Sequence, residues 1–173
     1  LLTKPHFWYE FAYPAYLMSI VGLVVVLFGG GVESHGAGRW LAVGSIHIQP
    51  SEFAKIGYLL ALSRYCSGNR INLLNPTTFI IPGILFLIPF VLVMKQPDLS
   101  TALTFVSITL MLFFWAGLSL SDLFLLLSPG MSVFAAMNQY LWGTLMAVIV
   151  GVIWQRRLPV WMIAGILVLN IAG

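Results

Sequence analysis

Four stretches of this chain, residues 12–30, 50–66, 76–94 and 100–117, are apolar over lengths close to the ~20 helical residues that cross a hydrocarbon core about 30 Å thick. Four such runs leave few folds open. In lipid every backbone N–H and C=O must be satisfied inside its own segment, so runs of this kind become helices. Composition agrees: 60% of residues are hydrophobic and mean hydropathy is +1.00, against about 45–50% apolar residues in ordinary soluble domains. The predicted fold is all-α, a polytopic transmembrane helix bundle. Past Leu123, residues 123–137, 141–154 and 158–173 are also apolar but shorter, and Pro129 interrupts the first of them. They bring the count to about six or seven helices, with a pair of tilted or re-entrant segments as the alternative for the fifth and sixth. The whole of 1–173 reads as one transmembrane segment. It opens on Leu1 without a methionine and closes inside an apolar run, as an internal piece of a longer protein would.

Charge is scarce, and its placement is informative. Eight bases stand against five acids, too few and too scattered to form a polynucleotide-binding patch, so nucleic acid is excluded as a partner. The single cysteine, Cys66, cannot form an intrachain disulfide and sits among apolar residues, as an inert thiol does. The three histidines show no metal-ligand spacing. If Lys4 is cytoplasmic, alternate crossings also place Arg64, Arg70, Arg156 and Arg157 inside, as the positive-inside trend asks. Arg39, Lys55 and Lys95 are then left on the outer side. These exceptions direct the search for function.

QPSEFAK, residues 49–55, reads as a helix start: Pro50 suits the first helical position, and Glu52 meets the positive end of the helix dipole. Lys55 lies three residues on, on the same side as Glu52. The pair has two readings, a satisfied structural bridge or the lining of a polar cavity that opens toward the outer leaflet, and charges at membrane depth favour the second. KQPDLSTA, residues 95–102, repeats the grammar, with Pro97 read at the first helical position and Asp98 in the first turn. Gln96 and Asp98 would thus mark a second helix start on the same face. Two helix starts could converge on a pyrophosphate or a metal bound to it, or be no more than good helix starts. The loop GGGVESHGAGRW, residues 29–40, has five glycines, lacks the frame of a phosphate-binding motif, and reads as a flexible helix exit. Within it Trp40 is a belt anchor or a platform for a sugar, and Arg39 a snorkelling side chain or a phosphate ligand.

Taken together and in this order, GAGRW (36–40), QPSEFAK (49–55) and KQPDLSTA (95–102) resemble the SEDS family of cell-wall polymerases, over about residues 5–117. Gly38 replaces an arginine of the usual family pattern, and Ser100 replaces a glycine. The resemblance implies a bundle of about ten helices in the bacterial cytoplasmic (inner) membrane that polymerises lipid II, the undecaprenyl-pyrophosphate disaccharide-pentapeptide, beside a class B penicillin-binding protein. Between the family's branches it favours elongation, with a septal polymerase of the division branch as the alternative. By the same resemblance, Arg39, Trp40, Glu52, Lys55, Gln96 and Asp98 would line the substrate cavity, and a divalent cation such as Mg2+ near Asp98 is the one cofactor it brings into question. The family's catalytic aspartate belongs to an extracellular loop beyond this segment, so no residue here is assigned as catalytic. Residues 123–173 would contain an additional helix pair, a lineage insertion that preserves the side on which the chain ends. Lipid II transport without bond chemistry is the alternative function, and a scaffold recruiting the crosslinking enzyme a third.

Overall fold

The computed structural model describes residues 5–29, 32–34, 37–43, 46–69, 71–156 and 158–172, with only the backbone path described through the strands as far as His47. Seven helices form: α1 (Pro5–Phe28), α2 (Pro50–Gly68), α3 (Ile80–Met94), α4 (Leu99–Trp115), α5 (Leu120–Ala135), α6 (Gln139–Arg156) and α7 (Val160–Ala172). The fifth and sixth, left open by the sequence, run as continuous helices of 16 and 18 residues. Among the described residues two helical spans, His6–Phe28 and Pro76–Met94, are long and apolar enough to cross a membrane by length and composition. The chain gathers into two compact units, one of residues 1–71 and 77–116, the other of 72–76 and 117–173.

The glycine-rich connection departs from the expected flexible exit. It carries three short strands, β1 (Val32–Ser34), β2 (Ala37–Val43) and β3 (Ile46–Ile48), paired antiparallel in the order β1-β2-β3. Val32 registers with Trp40 and Leu41 with Ile48, and the β1–β2 register shifts between Val32 and Glu33. Trp40, Leu41 and Val43 are of the aromatic and β-branched or bulky types that suit a pleated surface, and this outweighs the glycines before them.

In the first unit, helices α1 to α4 alternate in direction. Tyr16 on α1 reaches Leu85 of α3, and Tyr58 of α2 pairs with Thr109 of α4 at 2.6 Å. Tyr58 is fully buried and meets the Phe105 ring edge-on at 5.4 Å. The closest approach is between α1 and α2, where Gly57 lies over Ala15, Tyr16 and Ser19. Small residues let backbones come together where lipid supplies no hydrophobic drive to pair helices.

Prolines inside helices explain a second set of contacts. A proline at position i has no N–H for the carbonyl at i−4, and an unsatisfied carbonyl in lipid costs several kcal/mol. Pro14 frees the Glu10 carbonyl, which accepts from Arg64 Nη1 at 3.4 Å, beside a shorter bond of 2.8 Å from the same atom to the Tyr9 carbonyl. Pro82, in the first turn of α3, breaks no bond within that helix, while just before it the Thr78 carbonyl accepts from the Tyr65 hydroxyl at 3.2 Å. Pro89 frees Leu85, which accepts from the Tyr16 hydroxyl at 3.0 Å. Pro129 frees Leu125, which accepts from Ser128 Oγ at 2.8 Å. Pro129 thus lies inside a continuous α5 and does not interrupt it, contrary to the expectation from sequence. Removing one donor should be felt: Tyr16→Phe is expected to cost about 1–3 kcal/mol by orphaning the Leu85 carbonyl. Thermal unfolding in detergent measures it, and an unchanged midpoint would show that the carbonyl does without the tyrosine.

The second unit is held by apolar packing and two polar links. Leu125, Ile149, Ile153, Leu158 and Met162 form its buried cluster. Asn170 of α7 is fully buried, donating to Ser128 Oγ at 3.0 Å and to its own Ile166 carbonyl at 2.8 Å, while its side-chain oxygen accepts from Ser132 Oγ at 2.5 Å. Asp122 caps the start of α5 through a reciprocal pair with Ser119, and one of its oxygens also accepts from Arg156 Nη2 at 2.8 Å. That bridge brings the start of α5 and the end of α6 to one end of the unit.

Candidate functional site

Both motif-bearing helix starts of the first unit lie at the C-terminal end of α1. Gly22 faces Pro50, so close that a methyl group on the glycine would lie 3.4 Å from the proline Cβ. The next residue, Leu23, offers its carbonyl to Gln96 Nε2 at 3.4 Å. Arg64, by contrast, lies at the opposite end, its guanidinium 4.3 Å and 4.5 Å from the Tyr9 and Tyr13 ring centres. Lys55 and Lys95 thus lie toward the end of the unit where α2 and α4 begin, and Arg64 toward the other. Lys4, Arg70 and Arg157 lie outside the described residues.

At the start of α2, Pro50 takes the first helical position and Gln49 the cap, as expected, although the Gln49 side chain makes no capping bond. Glu52 follows in the first turn. Lys55 Nζ sits 2.8 Å from both Glu52 oxygens, with the lysine side chain 24% exposed and the glutamate 56%. Lys55 is therefore a paired ammonium whose stem is mostly covered and whose partner is open to its surroundings. The pair is compatible with either reading of the motif; what it excludes is a bare charge in lipid.

The start of α4 differs from the sequence reading. The helix begins at Leu99, with Asp98 as its N-cap rather than in its first turn, and Pro97 precedes the cap. Aspartate is among the best N-caps because its side chain takes an N–H that the helix leaves unsatisfied. Asp98 Oδ1 accepts from the Thr101 N–H at 3.1 Å and from Ser100 Oγ at 2.8 Å, and Oδ2 accepts from Thr101 Oγ1 at 2.9 Å. Ser100, the departure from the family pattern, adds a hydroxyl to this carboxylate. Asp98 and Gln96 are 5% and 7% exposed.

The donor set argues against a protein-built site for a divalent cation. Mg2+ takes one or two carboxylates with open lone pairs plus waters or phosphates. Both Asp98 oxygens already serve the helix cap, Glu52 serves Lys55, and among the described residues no three His, Cys, Asp or Glu side chains cluster. Arg39 and Trp40 have their backbone in β2, which packs beside α1 and α2. Their side chains lie outside the described residues.

One residue of QPSEFAK went unremarked in the sequence. Ser51 is 2% exposed, and its hydroxyl is the one buried side-chain polar atom without a hydrogen-bond partner among the described residues. Its place in the motif was legible; its burial was not.

Comparison with known proteins places this geometry. The FtsW/RodA/SpoVE family model, described as cell cycle protein, matches residues 1–148. A probable peptidoglycan glycosyltransferase FtsW of Alkalilimnicola ehrlichii is 38% identical over 99 residues, 57% of this chain and 25% of that relative. Among solved structures, a mutant form of the Thermus thermophilus rod shape determining protein RodA aligns with TM-score 0.64 and 31% identity, covering 79% of this chain and 43% of that one. A structure titled for the coordination of polymerization and crosslinking by a peptidoglycan synthase complex aligns with TM-score 0.61 and 28% identity, over 84% of this chain and 44% of that one. This chain thus spans about a quarter of the FtsW relative and under half of the two solved chains. The matched length, the helical architecture and the apolar spans agree: the chain belongs to the FtsW/RodA/SpoVE family, the SEDS family of polytopic membrane proteins.

Proposed function

We propose that this chain is part of a peptidoglycan glycosyltransferase that polymerises lipid II at the outer face of the bacterial cytoplasmic membrane, in cell elongation and shape, beside a class B penicillin-binding protein. The observation that carries the reading is the meeting of two helix starts, Pro50 against Gly22 and Gln96 against Leu23, at one end of the first unit. Helix starts present a positive dipole end, which suits a pyrophosphate, with the Thr101 N–H at α4 already taken by Asp98. Lys55 stands one turn below the start of α2, and Lys95 precedes α4 at the same end.

In this reaction the C4 hydroxyl of an acceptor GlcNAc attacks the MurNAc anomeric carbon with inversion, and undecaprenyl pyrophosphate leaves. The chemistry needs a carboxylate base at the hydroxyl and positive charge at the departing pyrophosphate. This segment supplies the second, through Lys55 and Arg39 with the two helix starts, while Trp40, Gln96 and Asp98 shape the cavity. Glu52 holds the Lys55 ammonium in place through contacts of 2.8 Å to both of its oxygens. The base comes from the part of the family fold that follows this segment.

The test is glycan-strand formation from labelled lipid II by the purified intact protein, with and without its penicillin-binding partner. Strands are expected, and in greater yield with the partner. Their absence under every condition would move the reading to lipid II transport. An FtsW-like septal role is separated from elongation by which conditional mutant, rod-shape or division, the intact gene rescues.

A further inference from the structure

We infer that the Ser51 hydroxyl is a ligand-facing group that completes its hydrogen bonding on a pyrophosphate oxygen, an inference that rests on the polymerase reading. The other buried serines of the helices satisfy their hydroxyls on a carbonyl or side chain nearby: Ser19 donates to the Tyr16 carbonyl at 2.7 Å, Ser128 to Leu125 and Ser132 to Asn170. Ser51 has no such recourse. It stands second in α2, so the residues three and four before it, Ile48 and His47, belong to β3 and not to a preceding helical turn. A buried hydroxyl left unpaired is uncommon in folded proteins and calls for a specific explanation.

Position shows where this hydroxyl faces. Ser51, Ala54, Tyr58, Ala61 and Leu62 form the buried stripe of α2. Within that stripe Tyr58 meets Phe105 and Thr109 of α4. Both helices run in the same direction, so stepping back seven residues along each carries Tyr58 to Ser51, and Phe105 and Thr109 to Asp98 and Ala102. By this step Ser51, in the first turn of α2, is level with the start of α4, with Lys55 one turn further along its own side. The carboxylates at these helix starts are already engaged, Glu52 by Lys55 and Asp98 by Ser100 and Thr101, so the Ser51 hydrogen is available to the oxygen of an incoming anion. A structural water is the competing partner, and a buried water needs two to four polar groups to hold it.

Ser51→Ala in the intact protein decides between them. Removing an unpaired hydroxyl should leave the thermal midpoint without ligand unchanged or raised. It should weaken binding of undecaprenyl pyrophosphate in detergent about tenfold, as loss of a hydrogen bond to a charged acceptor does. Inorganic pyrophosphate, titrated in parallel, shows whether the headgroup alone carries the effect: an equal loss assigns Ser51 to the free anion's chemistry, a loss confined to the lipid form assigns it to the membrane-bound headgroup, and both support the inference. A lowered midpoint with unchanged binding would mean a structural water and overturn it, as would no effect on either. Wild-type protein that binds neither probe would overturn the polymerase reading itself, and Ser51 with it.

Discussion

A folded Lys55→Met protein is expected to polymerise labelled lipid II about 100-fold more slowly than its parent, the range seen when a donor that stabilises developing negative charge is removed. The ammonium now touches both Glu52 oxygens at 2.8 Å. Without it, the glutamate stays in the first turn of α2, its charge facing an incoming pyrophosphate with nothing to offset it. Glu52→Gln, which frees the ammonium, should cost less activity. The double variant Glu52→Gln, Lys55→Met separates the two readings of the pair. A purely structural bridge predicts that neutralising both ends restores stability and activity together, whereas a substrate-facing lysine predicts that stability returns and activity does not. Recovery of polymerisation in the double variant would remove Lys55 from the mechanism.

Replacing Gly57 by valine is expected to break the pairing of α1 and α2. Already the first added carbon would lie 2.8 Å from Ser19 Oγ and 3.0 Å from both the Ala15 carbonyl oxygen and Tyr16 Cα. Two of those three atoms are backbone, and the third is tied to the Tyr16 carbonyl at 2.7 Å, so the helices must separate. Overpacking of this kind costs about 1–3 kcal/mol, and valine's two methyl groups beyond the Cβ put Gly57→Val at the upper end or beyond, with Gly57→Ala below it. Separation would also draw the Tyr16 hydroxyl from Leu85 and Pro50 from Gly22, so activity should fall along with stability. Gly83→Ala, at a helical glycine with open space where the Cβ would go, is the matched control and should unfold like the parent. Equal midpoints for the two variants would contradict the close approach.

Much of this arrangement could be read from the linear chain, because an apolar run of the right length leaves the backbone one solution. All seven helices fall on the stretches chosen by hydropathy, and the QPS start of α2 follows from proline's fixed φ and absent N–H. The start of α4 was displaced because Asp98 serves as a cap, a choice that depends on Thr101 and Ser100 standing where they can return hydrogen bonds. The strands between α1 and α2 were hidden by glycines, whose flexibility weighs more in a sequence than the short aromatic run after them. Contacts between distant residues left no local signal: Tyr16 and Leu85 are 69 positions apart, and nothing near either announces the other. Ser51 was visible as a letter of a motif, but its burial without a hydrogen-bond partner belongs to the packed structure alone.

The carbonyls freed by prolines give this bundle a means of recognition that its apolar surfaces cannot. Lipid solvates one greasy helix face as well as another, so such faces carry little information about which neighbour is correct or how far it should slide. An opened carbonyl carries both, since only a donor at the right height on the right helix can close it. Tyr16 closes one on α3, and Arg64 closes one on α1. As successive helices enter the bilayer during synthesis, Pro14 and Pro89 would each hold a segment unfinished until the matching donor docks, whereas Pro129 is served by Ser128 of its own helix. The helix starts that bear QPSEFAK and QPD would then reach a common height by these appointments rather than by chance sliding.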